Sequence, residues 1–239
     1  MAGPGGHSGN IKPVYVARTV ETSQYPFNAF LKTAALHLGK TGIIKKRSET
    51  HMTYLGAGGV RERMRAYGYG PAQVIAFSHG LQAFLDKRDH SNTNVRVEVD
   101  PQEPLVWMNK HCGRGQLAVK LLAAEGLLTS RESIEAYLLN QLGVMPKIRT
   151  FEPHITIGSL SLAELTKETR REPSALLSEY DLNMPHWIAM NGLMVYTGRI
   201  HSLSRRPEIV PSMAEEIQAW LDEMNEPVEP VELPLAASL

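Results

Sequence analysis

Apolar and polar positions alternate in short runs along much of this chain, and those runs are separated by stretches with helical spacing. Val14-Tyr15-Val16-Ala17-Arg18-Thr19-Val20 is rich in β-branched and aromatic side chains and predicts a first strand. Over residues 25–38, Phe27, Phe30, Leu31, Ala34, Ala35 and Leu38 recur at helical spacing, with Gly39 as the stop. Thr50-His51-Met52-Thr53-Tyr54-Leu55-Gly56 alternates again and predicts a strand, and Val60 to Ala66 has helical character. The apolar run 74–84 reads as a strand bent at Gly80. Residues 95–99 and 105–108 read as two more, so the middle of the chain predicts an antiparallel meander. Two helices follow, over 116–125 and 133–142, the second opened by the capping-box pattern Thr129-Ser130-Arg131-Glu132. Phe151 to Gly158 predicts a buried strand, Ser161 to Glu164 a further capping box, and 187–199 the last core strand.

The ends differ from this central body. Residues 1–11 are a glycine-rich lead-in without the apolar core of a signal peptide. Ser212-Met213-Ala214-Glu215 opens a predicted helix over 212–225, with an apolar stripe of Ile217, Trp220, Leu221 and Met224 suited to core packing or a dimer contact. Proline, valine and glutamate dominate 226–239, which predicts a disordered tail.

Composition narrows the classes. At 239 residues, with 43% apolar and 21% charged side chains, the chain is long enough for a substantial core. A formal net charge of zero argues against holding long nucleic acid through a broad basic field, but leaves small or terminal phosphates open as ligands. The single cysteine, Cys112, excludes an intrachain disulfide and any multi-cysteine metal site, which points to a reducing, cytoplasmic home. No run approaches the roughly 18 apolar residues of a membrane span, so a soluble protein is expected.

The chemistry lies in two of the predicted strands. Side chains two residues apart in a strand share a face. His51 and Thr53 therefore project together, with Met52 and Tyr54 behind them, and His154 and Thr156 repeat the arrangement with Ile155 and Ile157 behind. Of the nine histidines, only these two have a threonine two residues on, and both runs end in glycine. Two copies of one design would bring two imidazoles and two hydroxyls to one cleft. An imidazole with an ordinary pKa near 6.5 serves as acid or base at neutral pH, and paired hydroxyls hold phosphate oxygens. No His-x-x-x-His or cysteine partner supports a zinc site, so neither metal nor cofactor is expected.

His51-Met52-Thr53 and Phe151-Glu152-Pro153-His154-Ile155-Thr156 resemble the paired His-x-Thr/Ser motifs of the two-histidine phosphoesterase superfamily, which includes RNA 2',3'-cyclic phosphodiesterases also called 2',5' RNA ligases. The resemblance spans roughly residues 12–199. It implies a bilobal, pseudo-symmetric α+β domain over 12–205, with an antiparallel sheet in each lobe and the active site in the cleft between them. It also implies that His51 and His154 are the catalytic pair and that Thr53 and Thr156 bind phosphate. The implied reaction is metal-independent opening of a 2',3'-cyclic phosphate at an RNA end or of a related small cyclic phosphodiester. Hydrolysis of a cyclic di- or oligonucleotide signal and non-catalytic nucleotide binding are the alternatives. The chain would act as a monomer or as a dimer through its C-terminal helix.

Other residues carry weaker signals. His79 and His111 read as structural or exposed, Lys45-Lys46-Arg47 as a solvated charge run, and Gly56-Ala57-Gly58-Gly59 as a turn, since Arg61 stands where a dinucleotide-binding loop needs glycine. Tyr54, Trp107 and Tyr196 could stack on a base, with core packing the commoner role.

Overall fold

The computed structural model describes residues 14–21, 23–40, 42–45, 50–55, 60, 64–111, 114–143, 151–161 and 173–197. The glycine-rich lead-in, the glycine turn after Leu55, the C-terminal helix and the tail all lie outside them. Among the described residues there are nine strands, β1 (Val14–Thr19), β2 (Gly42–Ile44), β3 (His51–Leu55), β4 (Val95–Glu98), β5 (Leu105–His111), β6 (Arg114–Lys120), β7 (His154–Ser161), β8 (Trp187–Met190) and β9 (Met194–Thr197). Among the described residues the helices with stated bounds are α1 (Tyr25–Leu38), α2 (Pro71–Lys87), α3 (Glu125–Leu142) and the short α4 (Ala175–Glu179).

Seven strands form one antiparallel sheet in the order β5-β6-β7-β3-β1-β9, with β2 also paired to β7, while β4 and β8 form a separate two-stranded ribbon. The mixed fold with antiparallel sheets is the expected class. Its main sheet runs unbroken across both motif strands. Exchanging β1 with β6, β3 with β7, β4 with β8 and β5 with β9 reverses the strand order onto itself. Two isolated bridges obey the same exchange: Val20↔Met190 ties the end of β1 to β8, and Val99↔Leu121 ties the end of β4 to β6.

Five sequence readings are corrected. Residues 74–84 are helical, within α2: Val74, Phe77, Leu81 and Leu85 are buried at helical spacing, and Pro71 in the first turn is preset for a helix start. The Gln73 side chain accepts the Gly70 N–H at 2.9 Å and ties off that end. Residues 114–120 form strand β6, where Leu117 and Val119 alternate into the core. The helix after it begins at Glu125 and runs through the predicted cap at Thr129, because the Thr129 and Ser130 hydroxyls donate back to the carbonyls of Glu125 (3.1 Å) and Gly126 (2.9 Å). The expected meander is broken, since β4 leaves β5 to pair with β8. The last strand is likewise two: the Asn191 N–H and side-chain amide both donate to Thr19 and separate β8 from β9.

One contiguous core joins the helices to the sheet face carrying Val16, Met52, Ile155 and Val195. Arg18 is 1% exposed within it. Its guanidinium donates to the carbonyls of Thr93 (2.7 Å), Asn191 (3.0 Å) and His90 (3.4 Å) and to the Tyr54 hydroxyl (3.2 Å). His90 in turn places Nε2 3.1 Å from the Ser133 hydroxyl on α3. Burial lowers the His90 pKa from its ordinary 6.5, with Arg18 and Arg88 adding to the effect.

Arg18→Leu should destabilise the chain by about 3 kcal/mol or more, because buried carbonyls lose their donors; urea denaturation measures it, and an unchanged midpoint contradicts this role for Arg18. For His90 the depressed pKa makes the unfolded chain bind the extra proton, so its contribution is complete above about pH 6.5 and declines as pH falls below that value. Wild type should therefore lose more stability than His90→Asn between about pH 7 and pH 5, read as the difference between their urea midpoints.

Candidate functional site

β3 and β7 meet at the antiparallel pair Met52↔Ile155. Antiparallel pairing then sets His51 across from Thr156 and Thr53 across from His154. All four side chains share the face opposite Met52 and Ile155, both of which are 0% exposed. Directly opposed Cβ atoms lie about 5 Å apart and diagonal ones about 7–8 Å. The histidines thus occupy one diagonal of a small rectangle and the threonines the other. The structure brings all four predicted residues together.

Flanking strands extend the rectangle. Thr19 on β1 pairs with His51 and Ala17 with Thr53, while on the far side Ala118 pairs with Thr156 and Lys120 with His154. Each motif strand carries a bulge at the residue after its threonine. On β3, Val16↔Leu55 gives way to Ala17↔Thr53 and skips Tyr54; on β7, Leu117↔Gly158 gives way to Ala118↔Thr156 and skips Ile157. Gly158 lets β2 close against β7, since a Cβ there would meet the Ile43 carbonyl at 2.7 Å.

The two imidazoles differ in setting. His51 is buried, and its ring lies 6.4 Å from that of Tyr15, centroid to centroid. Tyr15 is fully buried and stacks on the half-buried Tyr196 at 5.5 Å. Burial, with Tyr196 beside it, pushes the Tyr15 hydroxyl up to about 12, and burial raises Tyr196 too, so neither phenol ionises near neutrality. His154 is more accessible and its Nδ1 lies 2.9 Å from the Glu152 carbonyl oxygen. A carbonyl only accepts, so the proton sits on Nδ1 and Nε2 is left to face a reactant. Beside His154, Lys120 Nζ is held by Glu103 (2.6 Å) and Asp100 (3.2 Å). The hydrogen bond to Glu103, then that to Asp100, raises the Lys120 pKa, and the Gln102 N–H leads the causes that lower that of Asp100.

The remaining candidates fall elsewhere. His79 is on helix α2 and Tyr54 lies in the core, stacked on Phe151 at 5.4 Å. Of the basic run, Lys46 and Arg47 lie outside the described residues. Tyr15 and Lys120 were not singled out from the sequence. Lys120 was hidden inside a run read as helix, where its strand parity with His154 is invisible. No cluster of three or more His, Cys, Asp or Glu suited to a metal occurs among the described residues, and no described helix is long and apolar enough to cross a membrane.

The fold recurs in a solved structure. The chain has the fold of ATU0111, a conserved protein of unknown function from Agrobacterium tumefaciens: the match has 16% identity, covers 83% of this chain and 84% of the other, and has a TM-score of 0.50. Lesser likenesses extend to Kluyveromyces marxianus Usb1 (11% identity, 81% and 97% covered, TM-score 0.43) and E. coli LigT (12%, 79% and 91%, 0.39). The chain matches no family model and no curated protein sequence.

With uniformly 15N-labelled histidine, neutral His154 should show the Nδ1–H tautomer, and an Nε2–H signature would contradict the hydrogen bond to Glu152.

Proposed function

We propose that this chain is a two-histidine phosphoesterase that opens a cyclic phosphodiester, of the 2',3'-cyclic phosphate type found at RNA ends, to a monoester without a metal. The observation that carries the reading is the register at Met52↔Ile155, which sets the two imidazoles on one diagonal of a shared face and the two hydroxyls on the other. In-line displacement at phosphorus needs a base on the side of the attacking water and an acid on the side of the departing oxygen. Imidazoles carried at diagonal positions, whose backbones lie about 7–8 Å apart, can flank one phosphate in this way, whereas directly opposed ones would crowd the same side.

The balance of the step is simple. One neutral imidazole takes a proton from water as its oxygen bonds to phosphorus. The other, protonated, gives its proton to the ribose oxygen as the P–O bond breaks. Thr53 and Thr156 donate hydrogen bonds to the nonbridging oxygens, whose charge grows in the transition state. His154, with Nδ1 engaged by Glu152, works through Nε2 in either role. The exchange symmetry of the strand order supports a duplicated unit that contributes one histidine and one threonine from each half.

His51→Ala and His154→Ala should each lower kcat by about 10²–10⁴-fold. Thr53→Val or Thr156→Val should lower it by on the order of 10²-fold. Circular dichroism should remain that of the wild type in each case. Hydrolysis of a 2',3'-cyclic-phosphate-ended RNA followed by product analysis provides the measurement, and retained turnover in the double histidine variant would sink the assignment. The pH–rate profile should be bell-shaped and indifferent to EDTA; activity lost to chelator and restored by zinc would overturn the metal-free mechanism.

A further inference from the structure

The four reacting side chains obey the exchange symmetry, but their surroundings do not. The exchange maps Tyr15 onto Gln116 and Tyr196 onto Met108, because Tyr15 pairs with Tyr196 and Gln116 with Met108. An aromatic stack therefore stands at His51's end of the site, and its exchange partners at the other end, Gln116 and Met108, are not aromatic. Its order is fixed: His51, then Tyr15 at 6.4 Å, then Tyr196 at 5.5 Å. Tyr15 is 0% exposed, so no ligand reaches its ring. Tyr196 keeps part of its surface open.

We infer that Tyr196 is the stacking surface for the base of the nucleotide next to the one bearing the scissile phosphate, so that the site takes the end of an oligonucleotide in a single orientation past His51. This rests on the phosphodiesterase reading above and names its substrate class. Tyr15 itself is closed to a ligand, so the partly exposed ring of the stack lies one step further from His51. A mononucleotide spans only the quartet; a dinucleotide spans the quartet and Tyr196. Tyr15 backs Tyr196 and holds its plane, which lowers the ordering cost of stacking. A base on an aromatic side chain gains about 1–3 kcal/mol and does so for any base, so the preference is for chain length and not for sequence.

The test compares kcat/KM for a dinucleotide ending in a 2',3'-cyclic phosphate with that for a nucleoside 2',3'-cyclic monophosphate, in wild type, Tyr196→Ala and Tyr196→Phe. Wild type should favour the dinucleotide, Tyr196→Ala should cut that ratio roughly 5- to 150-fold through KM, and Tyr196→Phe should keep it. Being a ratio, the readout is insensitive to the folded fraction of a variant. An unchanged ratio in Tyr196→Ala, or no preference in wild type, overturns the inference. Should wild type hydrolyse neither substrate, the catalytic reading fails on its own, and equilibrium binding of a 3'-phosphorylated dinucleotide judges Tyr196. Binding at least 5-fold weaker in Tyr196→Ala than in wild type supports the stacking role, and equal binding or none overturns it.

Discussion

The contact on which the site depends is the pairing of Met52 with Ile155. It is the register at which the two motif strands touch, and it is held from the core face by two side chains with no exposed surface. Slipping either strand by one residue would turn its histidine and threonine into the core and expose the apolar partner. A slip of two would keep the faces but set either the two histidines or the two threonines directly opposite each other, according to its direction, and so break the rectangle. The bulges at Tyr54 and Ile157 guard against both slips, since each locks its strand to an outer neighbour at one position. The chemistry of four side chains is thus fixed by apolar packing on the reverse of the sheet.

The same exchange that relates the motifs shows where the halves diverged. Arg18 pairs with Met52 on one side and Val119 with Ile155 on the other, so a buried guanidinium stands where its counterpart is an aliphatic side chain. Such a cation is tolerable in a core only when its donors are occupied, and here three carbonyls and a phenol accept them. Two of those carbonyls, of His90 and Thr93, lie just before β4, and the third, of Asn191, lies just after β8. Arg18 therefore ties the paired ribbon to β1 near the bridge Val20↔Met190, while the matching bridge at Leu121 is flanked by backbone hydrogen bonds from the Asp100 N–H to the Lys120 carbonyl (3.0 Å) and from the Leu122 N–H to the Glu98 carbonyl (2.9 Å).

How far the chain was legible in advance depended on whether a segment's own pattern matched its partners. Tyr25–Leu38 was readable to the residue, because one face of an isolated amphipathic helix carries its whole signal. The motif strands were readable for a similar reason: the polar, reactive face alternates with a fully buried one. Residues 74–84 misled because Val74, Ile75 and Phe77 have the composition of a buried strand. Their true period appears only when Leu81 and Leu85 are counted with them. The β6 run misled in the opposite sense: Leu117, Leu121 and Leu122 fit a helix, while the alternation of Leu117, Val119 and Leu121 decides for a strand once β5 and β7 lie on either side. The pairing of β4 with β8 had no local signal, since long-range partners are chosen by the rest of the sheet. The site residues were visible early, but their diagonal arrangement was not, because it exists only in the register between two distant strands.

The divergence of the flanks also determines what kind of recognition the site can offer. Across from His51 stands Thr19, whose hydroxyl accepts the Asn191 amide, and across from His154 stands Lys120. A lone lysine there would draw in a polyanion and bind its backbone as a point charge. Lys120 is instead shared by Asp100 and Glu103, and this trio carries one more negative charge than positive. A phosphate backbone gains little by approaching it, in keeping with a chain whose formal net charge is zero. Backbone charge is therefore a poor handle at His154's end, and the open ring of Tyr196 at His51's end is a good one. Under the proposed reaction a symmetric quartet would accept a phosphate from either direction, and the unequal flanks would give the substrate a direction, by stacking on one side and by withholding free positive charge on the other.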